Sequence, residues 1–269
     1  MNRTWLLLLV CVAGVALIRC HRVEEVPGVK GGAEEPVKYA IFDLDGTLSK
    51  GYISMEFLDY LHDHKLYDPK EYDHQMKILK DYKEKKMSYD DWVDEWALSW
   101  ARGIKGQKES DIKNAARDFF KTFKRNIYPQ AKDLAAFFKK RGYELLVISA
   151  GVYEVVDLAR QHLGMHQTIA TRCEVQDGKY TGKLITNVHT KTGKGEHIDK
   201  MIEDKNRVRP AYVFGDSPGD ISMLNRAQNP VALNPHPELE KEARQQGWRY
   251  LNIRDISDFM ENQVEAGAR

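Results

Sequence analysis

Short, almost continuously apolar segments that end in small or acidic residues recur along this chain, and they limit its fold more than any other feature. Val37–Phe42 runs directly into Asp43 and Asp45. Similar segments lie at Leu145–Ser149, Ala211–Gly215 and Val231–Leu233. Strands that are buried on both faces of a parallel sheet have this composition.

Helical apolar spacing separates these segments, as in Ala131, Leu134 and Phe138, and again in Ile198, Met201 and Ile202. Alternating strands and helices predict an α/β fold with a doubly wound parallel sheet. Between Thr171 and Ile185, an Asp177-Gly178 pair with alternating flanks predicts a β-hairpin.

Residues 51–127 interrupt the alternation, because their apolar spacing is helical throughout. We therefore predict an all-helical cap there, inserted after the first strand of a catalytic core formed by residues 37–50 and 128–262. Ser88, with Asp91 three residues on, is a suitable N-cap for the helix that carries Trp92, Trp96 and Trp100. We assign this tryptophan stripe to the interior of the cap rather than to a ligand site.

Reactive residues follow three of the predicted strands: Asp43 with Asp45, then Ser149, then Asp216 with Asp220. The carboxyl ends of parallel strands meet at one edge of a sheet, where ligands bind. Phosphoryl transfer needs a cation to offset the charge of the phosphate, and Mg²⁺ prefers carboxylate oxygens. The pattern predicts a Mg²⁺-dependent enzyme in which Asp43 is a covalent nucleophile.

Asp45 and Lys194 complete the predicted chemistry. Gly46 allows the chain to bend after the strand, so that Asp45 can act as general acid and then as general base. Lys194 is the best candidate for the cation that holds the phosphoryl group. Either acidic motif alone could be a solvated turn or a capped helix start, and only their joint occurrence after apolar strands favours a catalytic site.

These motifs resemble the haloacid dehalogenase-like superfamily, in its phosphoserine-phosphatase-like branch. The matching segments are Phe42–Leu48, Val147–Gly151, Lys194 and Gly215–Asp220. The resemblance implies an aspartyl-phosphate on Asp43, acid and base catalysis by Asp45, and phosphate binding by Thr47, Ser149, Ala150, Gly151 and Lys194. It implies Mg²⁺ ligation by Asp43, the Asp45 carbonyl and Asp216, with support from Asp220.

The cap departs from the phosphoserine phosphatase pattern. Tyr52 and Trp96 stand where those enzymes have a glutamate and an arginine for the substrate, and Gly219 replaces an asparagine. This argues against phosphoserine and suggests a phosphomonoester with an apolar or choline-like group. A phosphotransferase and a true phosphoserine phosphatase stay open as alternatives. A carbon–halogen hydrolase is disfavoured by Asp45, and a catalytically inactive scaffold by the complete set of motifs.

The N-terminus differs from the rest, since an apolar run from Trp5 to Ile18 follows Arg3. This run of fourteen residues is short for a membrane span, which needs about twenty. Residues 1–20 therefore predict an export signal or a retained anchor, joined to the core by a linker at 21–36. The 41 basic and 40 acidic residues nearly cancel, which gives no reason to expect nucleic acid as a partner. We read Cys173 as an inert buried thiol, and a zinc site at His162 and His166 as improbable.

Overall fold

The computed structural model of the protein describes residues 37–188, 193–204 and 209–267. The predicted leader at residues 1–20 and the linker at 21–36 therefore lie outside the described residues. Within the described part of the chain, no helix combines the length and the apolar character needed to cross a membrane.

A seven-stranded sheet forms the centre of the fold, in the order β4-β3-β2-β1-β5-β6-β7. All neighbouring strands are parallel except β3 and β4, which form the predicted hairpin. This confirms the doubly wound α/β prediction. Strands β2 to β4 are added on one side of β1, and β5 to β7 on the other, so the strand order switches between β1 and β5. The strands are β1 (Tyr39–Phe42), β2 (Glu144–Val152), β3 (Gln167–Gln176), β4 (Lys179–Thr186), β5 (Tyr212–Gly215), β6 (Asn229–Leu233) and β7 (Arg249–Leu251).

Ten α-helices accompany the sheet in the described part of the chain, and alternating residues of β1 bury its two faces in separate apolar clusters. Ala40 and Phe42 belong to one cluster, Tyr39 and Ile41 to the other. The helices are α1 (Ile53–Asp63), α2 (Pro69–Lys83), α3 (Tyr89–Gly103), α4 (Glu109–Phe123), α5 (Pro129–Lys140), α6 (Tyr153–Leu163), α7 (Gly193–Asp204), α8 (Ile221–Leu224), α9 (Pro237–Gln246) and α10 (Ile256–Gly267).

Helices α1–α4 fall within the segment predicted to form the cap, whose limits as a domain stay a prediction. The chain enters and leaves this segment through two stretches that lie side by side. Lys50 N donates to Asn126 O at 2.8 Å, and Tyr128 N donates to Leu48 O at 3.0 Å. Ser88 caps α3 as predicted, with its hydroxyl accepting from Asp91 N at 3.1 Å. Trp96 and Trp100 are buried in the cap, as the sequence indicated.

The hairpin makes a second connection to the cap. Tyr180 exchanges backbone hydrogen bonds with the loop between α3 and α4, accepting from Gly106 N at 2.8 Å and donating to Gln107 O at 3.0 Å. Glu109 N donates to Gly178 O at 2.9 Å in the turn. The α3–α4 loop thus pairs with the hairpin like an added strand, and the cap is held to the core at two separate places.

Candidate active site

The carboxyl ends of β1 and β5 bring Asp43 and Asp216 together at the point where the sheet reverses its strand order. Asp43 continues the pairing of β1, because its N–H donates to Phe214 O at 2.9 Å. Below it, the rings of Phe42 and Phe214 are stacked with centroids 4.8 Å apart. The nucleophile candidate therefore stands on a rigid, buried base, with only 4% of its own surface exposed.

Both oxygens of Asp43 are held by side chains that the sequence had assigned to the site. Lys194 Nζ donates to Asp43 Oδ1 at 2.6 Å, and Thr47 Oγ1 donates to Oδ2 at 3.1 Å. Lys194 lies at the start of α7 and is itself buried. Gly195 permits this placement, because a Cβ there would meet Arg226 Nη1 and Ser222 O of α8 at 2.4 and 2.9 Å.

The turn after Asp43 depends on Gly46. Its φ of +82° is a left-handed conformation that favours glycine. A Cβ at this position would lie 2.1 Å from Asp216 Oδ2, so any side chain would displace that carboxylate. Gly46 thereby allows the β1 loop to approach the β5 loop, where Thr47 Oγ1 contacts Asp216 Oδ1 at 3.3 Å.

Asp220 organises the β5 loop from below and is fully buried. Its Oδ2 accepts from the backbone N–H groups of Asp216 and Ser217 at 2.9 and 3.0 Å. Its Oδ1 accepts from Lys194 Nζ at 2.6 Å. Since both oxygens are already engaged, Asp220 positions Asp216 and Lys194, in keeping with its predicted supporting role.

The carboxyl group of Asp45 is held by the cap. Its Oδ1 accepts from Ile53 N at 3.0 Å, the first residue of α1. The bend predicted at Gly46 is present, and Asp45 pairs with Ser49 in an isolated bridge instead of continuing β1. The second carboxyl oxygen makes no hydrogen bond with the residues that the structure describes, which suits a group that exchanges protons with a substrate.

The predicted phosphate-binding segment, Ser149 to Gly151, lies beside these carboxylates at the end of β2. Ser149 is buried, and its Oγ accepts from Gly151 N at 3.0 Å. The next N–H, of Val152, donates to Ser54 Oγ of α1 at 2.8 Å. Ser54 was not singled out from the sequence, because a serine in a first helical turn carries no distinguishing signal.

A hard metal ion fits this group of residues. Oxygens of Asp43, Asp216 and Asp220 lie within 4.8 Å of one another, and no other cluster of His, Cys, Asp or Glu in the described chain meets this criterion. An all-carboxylate set suits Mg²⁺ or a similar cation. Asp220 already accepts four hydrogen bonds, from Lys194, from the backbone of Asp216 and Ser217, and from the Ser217 hydroxyl. Asp43 accepts only two from side chains, so Asp43 and Asp216 are the available side-chain ligands. Ligation by the Asp45 carbonyl stays a prediction.

Burial and mutual repulsion raise the pKa values of these carboxyl groups. Burial raises the pKa of Asp43 to about 6, against the opposing charge of Lys194. Burial also raises the pKa of Asp45 to about 7, and burial with the charges of Asp43 and Asp220 raises that of Asp216 to about 9. Burial lowers the pKa of Lys194, but Asp220 and Asp43 outweigh it and the net shift is upward. A bound cation would relieve this repulsion.

The cap residues near the carboxylates differ from the prediction in one respect. Trp96 does not line the site, because it is 3% exposed and stacks on Trp100 inside the cap. Trp92, one turn earlier, is partly exposed. Tyr52 is 67% exposed, and burial of its hydroxyl with the charges of Asp216 and Asp45 raises its pKa. The resemblance had aligned Trp96 with a substrate-binding arginine, whereas its burial agrees with the assignment of the tryptophan stripe to the cap interior.

Asn234 is a second residue that sequence reasoning did not assign. Its side-chain amide donates to Gly46 O and Thr47 O at 2.9 and 3.2 Å, and its Oδ1 accepts from Ile253 N at 2.8 Å. It holds the catalytic turn from the end of β6. Asn234 directly follows the apolar segment Val231–Leu233, as Asp43 follows the first predicted strand, and this is the signal that could have identified it.

Cys173, His162 and His166 lie outside the site. Cys173 is a free, buried thiol, and burial raises its pKa, so it is not a nucleophile. His162 packs its ring edge-on against Phe120, while His166 Nδ1 accepts from Leu145 N at 2.8 Å. Neither belongs to a metal-binding cluster of the described residues.

Comparison with known proteins relates this geometry to a family. A family model described as haloacid dehalogenase-like hydrolase matches residues 40–225, more than half of the chain. The histidinol-phosphatase of Neisseria meningitidis is 29% identical over 222 residues, which cover 80% of this chain and 98% of that protein. Further relatives match over shorter segments that span 42 to 50% of their own lengths.

Solved structures show the same fold. A Bordetella pertussis protein of unknown function superposes with a TM-score of 0.69 at 22% identity, covering 81% of this chain and 99% of that one. A phosphoserine phosphatase structure described as a phospho-aspartyl intermediate analogue superposes with a TM-score of 0.57 at 22% identity, covering 84% and 99%.

Proposed function

The chain belongs to the haloacid dehalogenase-like hydrolase family, and we propose that it is a Mg²⁺-dependent phosphatase that hydrolyses a small phosphomonoester through an aspartyl-phosphate on Asp43. One observation carries the proposal. Asp43 is fixed by Lys194 at 2.6 Å and Thr47 at 3.1 Å, beside the carboxylates of Asp216 and Asp45. This arrangement combines a nucleophile, a cation site and a proton donor at one sheet edge.

In the first step, a carboxylate oxygen of Asp43 attacks phosphorus and the bond from phosphorus to the leaving oxygen breaks. Asp45 supplies the proton that the leaving oxygen needs to depart as an alcohol. The raised pKa of Asp45, about 7, keeps a substantial fraction protonated near neutral pH. Lys194 and the Ser149–Gly151 segment hold the phosphoryl oxygens.

In the second step, water attacks phosphorus and gives a proton to Asp45, and the bond between phosphorus and Asp43 breaks. Inorganic phosphate leaves, and both carboxyl groups return to their starting states. Mg²⁺, when bound by Asp43 and Asp216, would supply charge neutralisation for the phosphoryl group. The cap would exclude bulk water during both steps.

The leaving alcohol is a small metabolite, and one specific candidate is histidinol phosphate. The match to the N. meningitidis histidinol-phosphatase extends over 98% of that protein, cap included, which supports testing this substrate beside phosphoserine. Tyr52, at the cap position where phosphoserine phosphatases carry a substrate-binding glutamate, favours a substrate other than phosphoserine.

Phosphate release from p-nitrophenyl phosphate by the full chain tests the proposal. We expect turnover that requires Mg²⁺ and is lost when a chelator removes the ion, with phosphate and p-nitrophenol released in equal amounts. Asp43→Asn should lower the rate on the order of ten-thousandfold, because the amide cannot act as the nucleophile. Asp133→Asn, at an exposed position of α5, is the matched control. Wild-type turnover by Asp43→Asn, or turnover indifferent to chelation, would contradict the proposal.

A further inference from the structure

Four aromatic residues of the cap, Tyr52, Tyr82, Tyr89 and Trp92, form what we call the cap aromatic cluster. Tyr82 at the end of α2 stacks on Trp92 of α3, with ring centroids 4.6 Å apart and planes 4° apart. Tyr89 stands edge-on to both, at 6.0 and 5.9 Å. Tyr52 immediately precedes α1, so the cluster draws on three helices of the cap.

The cluster lies over the catalytic carboxylates. A Cβ on Gly219, in the β5 loop between Asp216 and Asp220, would be 3.2 Å from Tyr89 Oη. Burial raises the pKa of the Tyr89 hydroxyl to about 12, and the charges acting on it include Lys194, Asp220 and Asp43. For Tyr52 the acting charges are Asp216 and Asp45, followed by Tyr82. Both phenols therefore share the electrostatic environment of the site.

These rings keep exposed surface, although Trp92 also packs against the apolar core. Tyr52 is 67% exposed and Tyr89 is 44% exposed, which places both among the few large hydrophobic residues left open on the described surface. Tyr82 and Trp92 are partly exposed. An exposed aromatic patch beside a catalytic centre is a surface that a bound molecule would cover.

The charge around the cluster is negative. Four carboxyl groups, on Asp43, Asp45, Asp216 and Asp220, face one ammonium group on Lys194, and that ammonium is already bonded to two of them. Glu56, one turn into α1, adds a carboxylate whose charge also acts on Asp45. The lysines at the tip of the α2–α3 loop are exposed, and Lys86 pairs with Glu84 at 2.6 Å.

We infer that the cap aromatic cluster binds a positively charged nitrogen on the leaving group of the phosphomonoester, so that the enzyme selects amino- or ammonium-alcohol phosphates that carry no carboxylate. This inference rests on the proposed function and names its substrate class. Aromatic faces attract cations through the ring quadrupole, most strongly at tryptophan. A carboxylate on the leaving group would gain little from Lys194, whose ammonium is already bonded to Asp43 and Asp220. It would also gain little from Mg²⁺, whose charge the carboxylates and the phosphoryl group would offset.

Two substrates of the same shape, one charged and one neutral, separate the effect of the positive charge from the effect of shape. Phosphocholine and its neutral carbon isostere, in which a tert-butyl group replaces the trimethylammonium group, have the same shape. We expect kcat/KM to favour phosphocholine by about tenfold or more, the size of a partly desolvated cation–π contact. Phosphoethanolamine should likewise be preferred over phosphoserine, which differs from it by one carboxylate.

Variants test whether the cluster is responsible. Trp92→Leu should bring the ratio of kcat/KM values for phosphocholine and its neutral isostere toward one, because the ring face is lost. Tyr89→Phe should keep the ratio, since the ring remains when the hydroxyl is removed. Tyr250→Leu, at an exposed tyrosine of β7 outside the cluster, is the matched control and should keep the wild-type ratio.

Two outcomes would overturn the inference: equal kcat/KM values for the isosteric pair in the wild type, or a ratio in Trp92→Leu that equals the wild-type ratio. Hydrolysis of p-nitrophenyl phosphate in the same preparations separates this failure from failure of the proposed function. An enzyme that hydrolyses the aryl phosphate without preferring the cation refutes the cluster alone, whereas absence of any Mg²⁺-dependent hydrolysis refutes both.

Discussion

At the scale of single residues, Lys194 is the cation that offsets the buried carboxylates of the site. Its ammonium group is bonded at 2.6 Å to both Asp43 and Asp220, and all three side chains are buried. A charged group removed from water in this way is tolerated only with close partners, and loss of one partner typically costs about 3–5 kcal/mol. Lys194 thus keeps Asp43 ionised against the burial that raises its pKa, and an ionised carboxylate is what nucleophilic attack requires.

Asp45 provides a prediction about proton transfer. Asp45→Asn keeps an oxygen that can accept from Ile53 N but removes the transferable proton. We expect hydrolysis of an alkyl phosphate, whose leaving group needs that proton, to fall about 10²–10⁴-fold. The kcat/KM for p-nitrophenyl phosphate, which reports the steps up to phosphorylation of Asp43, should fall much less, because its phenolate leaves without protonation. Steady-state kinetics with both substrates make the comparison.

The pH profile of the wild type checks the same role. The pKa of Asp45 is raised to about 7, so its acid form predominates below that pH and is lost as the pH rises through it. The kcat/KM for the alkyl phosphate should therefore decline above about pH 7, and this limb should be missing from Asp45→Asn. If kcat/KM of the variant fell by the same factor for both substrates, Asp45 would not protonate the leaving group.

Helix α1 joins two catalytic loops at the scale of single elements. Its first residue donates to Asp45 Oδ1 at 3.0 Å, and its second, Ser54, accepts from Val152 N at 2.8 Å. One helix start therefore fixes both the proposed proton donor and the end of the proposed phosphate-binding segment. The N-terminal part of α1 is hydrogen-bonded to the predicted catalytic core, although the sequence places it in the cap.

Ser54→Ala tests this coupling. The substitution leaves the Val152 N–H without its observed partner at a site where Ser54 is 5% exposed. An unsatisfied buried donor should lower the free energy of unfolding by about 1–3 kcal/mol and raise KM through a loosened phosphate-binding segment. Urea denaturation and steady-state kinetics measure both effects. Ser110→Ala, at an exposed position of α4, is the control, and an unchanged unfolding midpoint in Ser54→Ala would refute the coupling.

Some elements were predictable from sequence and others were not. The strands that precede Asp43, Ser149 and Asp216 have continuous apolar runs, and Asp177-Gly178 specifies the hairpin turn through positive φ values of 50° and 73°. Strand β7 was missed because Arg249 and Tyr250 are exposed and give no apolar run. Ser54 and Asn234 act through contacts to backbone 98 and 188 residues away, which no local pattern encodes.

The whole molecule combines a sheet edge that supplies the chemistry with a cap that is attached at two places. The linkers at Lys50 and Tyr128 form one attachment, and the hairpin turn around Gly178 forms the other. The order of the motifs along the chain predicted which side chains meet at this edge, because only a few strand orders are possible in a doubly wound sheet. The proposed aromatic cluster was not predictable, since the stacking of Tyr82 on Trp92 depends on how α2 packs on α3.

The central claim for the whole molecule is that Asp43 becomes covalently phosphorylated during turnover. The full chain can be mixed with p-nitrophenyl phosphate and Mg²⁺, quenched in acid within one turnover, and reduced with borohydride, which converts an aspartyl-phosphate to homoserine. Peptide mass spectrometry should then find homoserine at residue 43 while phosphate release proceeds. Phosphate release with unmodified aspartate at residue 43 throughout the first turnover, or with homoserine at another position, would contradict the account.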